Sequence, residues 1–180
     1  CGSLAAALAE MVGNLTLGRR GCDDAQESIR EALAELEEIR TILLKAIDED
    51  SESFIGFMTA LKMPKNTEEE KVLRKTAMSQ ALKTASLVPL KVAGQSVRIF
   101  KFSRLMLERG NKNAATDAMV SALAARTAAI GALLNVRINL RLIHDPEFVR
   151  TTLEEVLRLE TLTNEQEKEI TEIGYQLLNQ

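Results

Sequence analysis

The chain has 180 residues and a formal net charge of −3, with 46% hydrophobic and 27% charged residues. This balance is typical of a globular domain, and it excludes a disordered chain or a strongly basic nucleic-acid binder. Aromatic residues make up only 3% and there is no Trp, so a stacking platform for bases is not expected either.

The abundance of Ala, Leu, Glu, Lys and Arg, together with only three prolines, predicts an all-α fold. We expect a single domain over residues 1–180, built as a multihelical bundle of long antiparallel helices.

No sequence pattern points to a metal, a nucleotide or a redox cofactor. Cys1 and Cys22 form no CxxC pair, His144 is the sole histidine, and Walker and GxGxxG motifs are absent. We therefore expect no cofactor, no metal and a reducing, cytoplasmic location. The longest apolar run, residues 128–134, is too short to cross a bilayer, and no signal peptide is visible, so no membrane association is expected.

The first helix is predicted over residues 3–17, where several alanines allow close packing, and it ends in the loop at residues 18–21. Asn14 lies among the apolar positions near the end of this helix. Arg19 in the loop is either an exposed loop residue or a contact for an anion.

The second helix is predicted to begin at Asp23 or Asp24, as the N-cap, and to run to residue 62. Its length is about 60 Å at about 1.5 Å per residue, which exceeds the diameter of a compact domain of this size. We therefore expect it to pack across a second copy of the chain in a homodimer. Gly56 is a candidate kink, because glycine weakens a helix by about 1 kcal/mol relative to alanine.

Asp50 interrupts the apolar stripe of the second helix. The stripe follows helical spacing along one side that is expected to face the core: Ile29, Leu33, Leu36, Leu43, Ile47, Phe54, Phe57 and Leu61. A carboxylate on such a stripe is either a buried structural residue satisfied by hydrogen bonds or an acid–base group tuned by its surroundings. Periodicity alone does not decide between the two.

The third helix is predicted to start at a capping box formed by Thr67 and Glu70. Pro89 lacks a backbone N–H, which predicts a kink or a restart of the helix there. The next helical segment is expected over residues 90–108, with a stop at residues 109–111.

A polar turn over residues 111–117 leads into a fourth helix, predicted over residues 118–143. Thr116 and Asp117 are either caps of this helix or residues of a site.

Two pairs of polar residues follow helical spacing within the fourth helix. Asn135 and Asn139 are four residues apart and share one face, while Arg137 and Arg141 share another. The two amides are either buried structural groups or the polar wall of a site.

The last helix is predicted over residues 147–178, after an Asp145 N-cap and with Pro146 at the first helical position. Thr163 and Asn164 mark a candidate break in it.

Five blocks of the sequence, in the same order and with matching spacing, resemble the formimidoyltetrahydrofolate cyclodeaminase and methenyltetrahydrofolate cyclohydrolase family. The blocks are residues 6–19, 47–54 (IDEDSESF), 63–71 (MPKNTEEEK), 110–117 (GNKNAATD) and 131–140 (GALLNVRINL). The resemblance covers about residues 1–150, and the C-terminal helix adds little to it.

The resemblance implies an all-helical subunit that forms a homodimer, with folate bound near the dimer interface and Asp50 as the catalytic aspartate. Family members carry a Pro-Gly-Gly-Gly-Ser loop upstream of the first helix, and Cys1 aligns after it, so that loop is not present in the chain. Motif matching and helical phase together suggest the substrate-binding residues. Those expected to meet the pteridine are Asn14, Asp117, Asn135 and Asn139, and those expected to meet the glutamyl carboxylates are Arg19, Arg137 and Arg141.

The activity implied by the family is ring closure of 5-formimidoyltetrahydrofolate to 5,10-methenyltetrahydrofolate with release of ammonia. One alternative is the related cyclohydrolase reaction, which hydrolyses 5,10-methenyltetrahydrofolate to 10-formyltetrahydrofolate. A second alternative is a non-catalytic helical interaction module, in which Asp50 is only a buried polar residue. The expected flanks of Asp50, namely Ile47, Phe54 and Phe57, would desolvate the carboxyl and favour its protonated form.

Overall fold

A computed structural model describes residues 1–179 as five α-helices, and no strand occurs among them. The prediction of an all-α fold is confirmed. The helices are α1 (Gly2–Asn14), α2 (Gln26–Leu61), α3 (Glu68–Arg109), α4 (Ala115–Leu140) and α5 (Pro146–Leu178). Short 3₁₀ turns at Asp23–Ala25 and Lys112–Ala114 precede α2 and α4.

Two helix starts were predicted correctly, because the signals for both are local. Thr67 accepts a hydrogen bond from the backbone N–H of Glu70, whose side chain in turn accepts from the backbone N–H of Thr67. At the start of α5, Asp145 Oδ1 accepts from the backbone N–H of Phe148 at 3.1 Å, and Pro146 is the first helical residue.

The ends of the first two helices differ from the predictions. The α1 helix stops at Asn14, because Thr16 turns inward, donates to the Val12 carbonyl and accepts the backbone N–H of Asn111. The α2 helix starts only at Gln26, since the two aspartates expected to cap it lie in the preceding 3₁₀ turn and Ala25 occupies the N-cap.

The start of α4 also differs. The N-cap is Ala114, and Asp117 lies half-buried in the first turn, where a negative charge is favourable. Neither Thr116 nor Asp117 is therefore the cap.

The helices are continuous at the predicted kink at Gly56, at the predicted kink or restart at Pro89 and at the predicted break at Thr163 and Asn164. The α2 helix runs through Gly56, and α3 runs unbroken for 42 residues through Pro89, so the predicted restart is wrong. The break suggested in α5 is also wrong. Buried Thr163 donates its hydroxyl to the Leu159 carbonyl at 2.7 Å, within the helix, and needs no partner outside it.

The core has two connected parts. In the first, small residues of α1 are fully buried against α2 and α4, and a buried hydroxyl pair fixes the contact: Ser121 donates to the Ala5 carbonyl and lies 2.8 Å from the Ser103 hydroxyl. In the second, α3, α4 and α5 pack through Leu133, Val136 and other aliphatic side chains. The cleft described below lies where α1, α2, α3 and α4 meet.

The apolar stripe of α2 faces the core only in its first half. In the second half Ile47 and Phe54 face outward within the subunit, each 62% exposed, whereas Phe57 is half-buried against the second part of the core. The side that packs on α3 in this half carries smaller residues, namely Ala46, Ser53 and Ala60. The expectation that Asp50 interrupts a core-facing stripe is therefore wrong for the single subunit, because Asp50 and its nearest neighbours on the stripe, Ile47 and Phe54, are exposed.

One helical segment is apolar enough to resemble a membrane span. The segment Lys112–Leu140 contains an 18-residue window with a mean hydropathy of 1.5, and 44% of that window is buried within the fold. A core helix of a water-soluble protein has the same character, so this feature is weak support for a membrane location.

We predict that the Lys83–Asp145 pair makes folding stability depend on pH in the acid range. Lys83 Nζ lies 2.6 Å from Asp145 Oδ2, and this hydrogen bond lowers the pKa of the carboxyl below its usual value. A lowered pKa in the folded state contributes stability above the unfolded pKa, and that contribution is lost as the pH falls through the folded pKa.

Asp145→Asn keeps an N-cap acceptor but removes the charge. It should lower the urea midpoint at about pH 7 and match wild type by about pH 2. The control is the same substitution in a Lys83→Met background, where its effect at neutral pH should shrink. An Asp145→Asn effect of equal size at both pH values would contradict the assignment.

Candidate functional site

A cleft of about 480 Å³ opens at the N-terminal end of α1. It is bounded by the middle of α2, by the α3 segment around Pro89 and by the outward face of α4. The lining residues are Cys1, Gly2, Ser3, Leu43, Ala46, Ile47, Asp50, Ser51, Val88, Pro89, Val92, Thr127, Ala128, Gly131, Ala132 and Asn135. The volume lies within the range of small-molecule sites.

The polar groups of the cleft come from three helices. Asp50 and Ser51 lie on α2, Ser3 on α1, and Thr127 and Asn135 on α4. The remaining lining is aliphatic or backbone. An apolar cleft with a few convergent polar groups is the usual form of a site for a flat heterocyclic ligand.

Asp50 is the only carboxylate among the described residues that line the cleft, and no Lys, Arg or His lines it. Its neighbour Glu49 is held outside by Lys91 Nζ at 2.9 Å. Asp50 therefore shares the cleft with hydroxyl and amide groups rather than with a basic side chain, and it is exposed in the single subunit.

Two of the hydroxyls in the cleft, those of Ser51 and Thr127, donate their protons locally. Ser51 donates to the Ile47 carbonyl at 3.0 Å and Thr127 to the Leu123 carbonyl at 3.0 Å. Their oxygens keep lone pairs with which to accept hydrogen bonds from a ligand. Asn135 makes only a long contact, 3.4 Å, to the Gly131 carbonyl.

The cleft brings together two of the residues predicted from sequence, Asp50 and Asn135. Asn14 lies elsewhere, in a surface depression with Arg40, and donates to the Glu10 carbonyl at 2.9 Å. Arg19 lines a separate cavity of about 450 Å³ at the far end of α1.

The other predicted residues are engaged or oriented outside the cleft. Arg137 forms an ion pair with Glu160, and Asn139 donates to the Ala85 carbonyl at 2.9 Å. Arg141 is exposed at the C-cap of α4. The substrate-binding roles of these residues stay predictions.

Several lining residues were missed at the sequence level. Thr127 and Gly131 are two of them, and they follow each other at an interval of four on α4, where they form one wall with the predicted Asn135. A glycine in the middle of a long helix was the available signal, since it costs helix stability. A Cβ at Gly131 would meet no atom within 4 Å, so the fold itself does not require glycine there.

The shifted pKa values in the molecule arise from ion pairs outside the cleft. A hydrogen bond from Lys101 lowers the pKa of Glu35, and one from Arg109 lowers that of Asp24. Within residues 1–179, no three His, Cys, Asp or Glu side chains form a metal-binding group. That the reaction needs neither metal nor cofactor stays a prediction.

Comparison with known proteins identifies the family. The sequence profile described as formiminotransferase-cyclodeaminase matches residues 1–158. The chain belongs to this family. The family resemblance noted from the sequence blocks is thereby confirmed.

Individual relatives agree with this assignment. The methenyltetrahydrofolate cyclohydrolase of Methylorubrum extorquens is 35% identical over 155 residues, covering 86% of this chain and 74% of that protein. The formimidoyltransferase-cyclodeaminase of Gallus gallus is 36% identical over 157 residues, covering 87% of this chain but 29% of that protein. The chain thus spans most of the bacterial relative and less than a third of the avian one.

A solved structure shares the fold over nearly the whole chain. The crystal structure of formiminotetrahydrofolate cyclodeaminase from Thermotoga maritima superposes with a TM-score of 0.87 and 29% identity, covering 98% of this chain and 84% of that one. The family profile ends at residue 158, within α5, whereas the structural match covers nearly the whole chain and so includes most of the rest of α5.

We predict that the fold does not require glycine at position 131, and that the absence of a side chain there serves the cleft instead. Gly131→Ala should raise the free energy of unfolding by about 0.5–1 kcal/mol, because alanine favours helix and the added Cβ meets open space. Chemical denaturation measures this.

The matched control is Gly174→Ala in α5, also a helical glycine. Its Cβ would collide with the Met119 side chain, so the gain in helix propensity should be cancelled or reversed. Destabilisation by Gly131→Ala would show that the fold requires this glycine.

Proposed function

We propose that the chain closes 5-formimidoyltetrahydrofolate to 5,10-methenyltetrahydrofolate and releases ammonia, with Asp50 as the proton carrier. The observation that carries this proposal is the position of Asp50. The aspartate in the block that resembles the family's catalytic segment is also the only carboxylate, among the described residues, that lines the 480 Å³ cleft at the start of α1. The solved cyclodeaminase with the same fold supports the choice of reaction.

The reaction needs one proton to move between two nitrogens. Starting from the amidinium form, N10 attacks the formimidoyl carbon, and the new N10–C bond gives a tetrahedral intermediate with a proton on N10. Asp50, ionised, accepts that proton. It then delivers the proton to the amino group, the C–N bond to ammonia breaks, and the N5 lone pair forms the methenyl cation. Charge and protons balance, since one cation gives another and neutral ammonia.

The rest of the cleft positions the folate. Aliphatic side chains such as Leu43 and Val92 offer flat walls to the pteridine, and the Asn135 amide with the Thr127 and Ser51 oxygens offers polar contacts to its ring edge. Holding N10 against the reacting carbon removes much of the entropic barrier to ring closure. The protein is then required chiefly for orientation and for proton transfer.

We propose that a second copy of the chain covers the cleft and completes the site. Leu4, Ile47, Phe54 and Leu134 lie on the surface around it and are between 57% and 62% exposed. Monomeric proteins rarely expose apolar side chains of this size in one contiguous area. Burial by a partner would desolvate Asp50 and provide the apolar surroundings that the subunit alone does not.

The cyclohydrolase reaction is the second candidate, because the bacterial relative of which the chain covers 74% carries that name. It uses the same cleft, with water adding to the methenyl carbon and the N5–C bond breaking. Both reactions are folate chemistry of a cytoplasmic metabolic enzyme, and we propose that location.

The first test is Asp50→Asn, which keeps the shape of the side chain but cannot carry a proton. We predict that kcat/KM falls by about 10²–10⁴-fold while the fold is retained. The assay follows the absorbance of the methenyl group, with 5-formimidoyltetrahydrofolate in one series and 5,10-methenyltetrahydrofolate in the other.

The matched control is Asp48→Asn, two residues away on an exposed side of α2 that does not line the cleft. It should keep wild-type rates. Wild-type turnover by Asp50→Asn would remove Asp50 from the mechanism. Turnover of the methenyl substrate alone would select the cyclohydrolase, and no turnover of either by the wild type would leave the non-catalytic interpretation.

The second test concerns the dimer. Phe54→Asp or Leu134→Asp places a charge in the proposed interface but outside the cleft lining, and should convert a particle of about 40 kDa, twice 19.9 kDa, into a monomer. Light scattering at micromolar concentration measures the mass. Leu157→Asp, on the exposed side of α5, should leave the dimer intact. A wild-type chain that is monomeric under these conditions contradicts the proposal.

A further inference from the structure

Pro89 leaves a gap in the hydrogen bonding of α3, next to the cleft. A proline has no backbone N–H, so the carbonyl of Ala85, four residues earlier, loses its partner within the helix. Pro89 is buried and lines the same cleft as Asp50. The wall that α3 contributes to the cleft, formed by Val88, Pro89 and Val92, is therefore built at the weakest turn of this helix.

The missing donor is supplied by another helix. Asn139 of α4 donates its side-chain Nδ2 to the Ala85 carbonyl at 2.9 Å, and this bond is partly buried. Leaving a carbonyl of this kind without a donor is unfavourable, because it loses its hydrogen bond to water without gaining another. The Asn139 amide thus stands in for the backbone N–H that residue 89 lacks.

The same face of α4 connects this bond to the site. Asn135 lies one helical turn before Asn139, and it lines the cleft. The hydrogen bond between Asn139 and Ala85 therefore ties the proline turn of α3 to the stretch of α4 that bears Asn135. A change in this tie would alter the separation of two walls of the cleft.

We propose that Asn139 is a positioning residue for the folate site, acting through Ala85 and Pro89 without touching the ligand. This inference rests on the proposed function, which makes the cleft the folate site. It differs from the expectation that Asn139 reaches the pteridine, because the Asn139 amide already donates to a protein carbonyl.

The test is a double-mutant cycle in the full chain. Pro89→Ala restores a backbone N–H that can pair with the Ala85 carbonyl and so makes the Asn139 amide dispensable. Asn139→Leu removes the donor at nearly constant size. Two quantities are measured. The first is Tm, which requires no ligand. The second is the Kd for 5-formyltetrahydrofolate by calorimetry, a ligand in which a formyl oxygen replaces the formimidoyl nitrogen of the substrate.

With Pro89 present, Asn139→Leu should lower Tm by about 3–8 °C and weaken folate binding by about tenfold. In the Pro89→Ala background both effects should shrink, to less than about 2 °C and about twofold. In turnover assays KM should rise more than kcat falls, because the proton carrier is untouched. Asn139→Gln, which keeps the amide, should recover part of the affinity.

Asn164→Leu, at an exposed position of α5, is the control for an asparagine-to-leucine change and should alter neither readout. If Asn139→Leu does not fold, Asn139→Ala replaces it in the cycle, since it removes the donor without adding bulk or charge.

Two results would overturn the positioning role while leaving the function intact. Equal loss of affinity in both backgrounds would mean that Asn139 contacts the folate directly. A fall in Tm with unchanged Kd would mean that the bond stabilises the fold alone. A wild-type chain that binds no reduced folate would instead overturn the proposed function, and the positioning role with it, even where Tm still shows the coupling.

Discussion

The close packing of α1 against its neighbours is the constraint on which the rest of the subunit depends. Its inner face consists of glycine and alanine except for Val12, and Ala5, Ala6 and Ala9 are fully buried. A Cβ at Gly2 would lie 3.0 Å from Leu43, and one at Gly13 would lie 2.9 Å from Leu33. At this separation backbone and side-chain oxygens come within reach of each other, which is why the Ser121 hydroxyl can donate to an α1 carbonyl. The same approach brings the start of α1 to the middle of α2, where the cleft opens.

Local signals in the sequence predicted the fold class and the helix starts at Thr67 and Asp145, because a cap is decided within one turn. They failed where a residue distant in the sequence supplies the hydrogen bond that a backbone carbonyl has lost. Pro89 predicts a kink or a restart, yet α3 continues through it, and an asparagine 50 positions later on α4 donates to the freed carbonyl. Its position in space is a product of tertiary packing, which periodicity within α3 does not contain.

The orientation of α2 shows a second limit. The spacing of Ile47, Asp50 and Phe54 on one side was recognised correctly, yet that side faces outward in the subunit. A hydrophobicity pattern selects the side with the largest apolar residues, whereas the contact with α3 needs small ones, such as Ala46 and Ser53. Only part of the candidate site was predicted, again because a pattern within one helix does not contain the packing between helices. Family resemblance pointed to Asp50 and Asn135, but helical phase cannot show that Asn14 and Arg19 lie near other parts of the surface.

The exposed apolar residues of α2 and the proposed proton transfer both require that the surface around Asp50 be covered and shielded from water. A carboxylate in open water is ionised at neutral pH, and the proton it accepts from N10 would exchange with solvent before reaching the departing amine. Exposed apolar side chains, Ile47 and Phe54, lie next to Asp50 on α2, and monomeric proteins rarely expose a large contiguous apolar area. Covering these side chains removes apolar area from water and excludes solvent from the carboxylate in a single event. In this arrangement the burial of apolar area that would hold two subunits together would also exclude water from the Asp50 carboxyl. A substitution that prevents the dimer from forming would therefore also reduce catalysis.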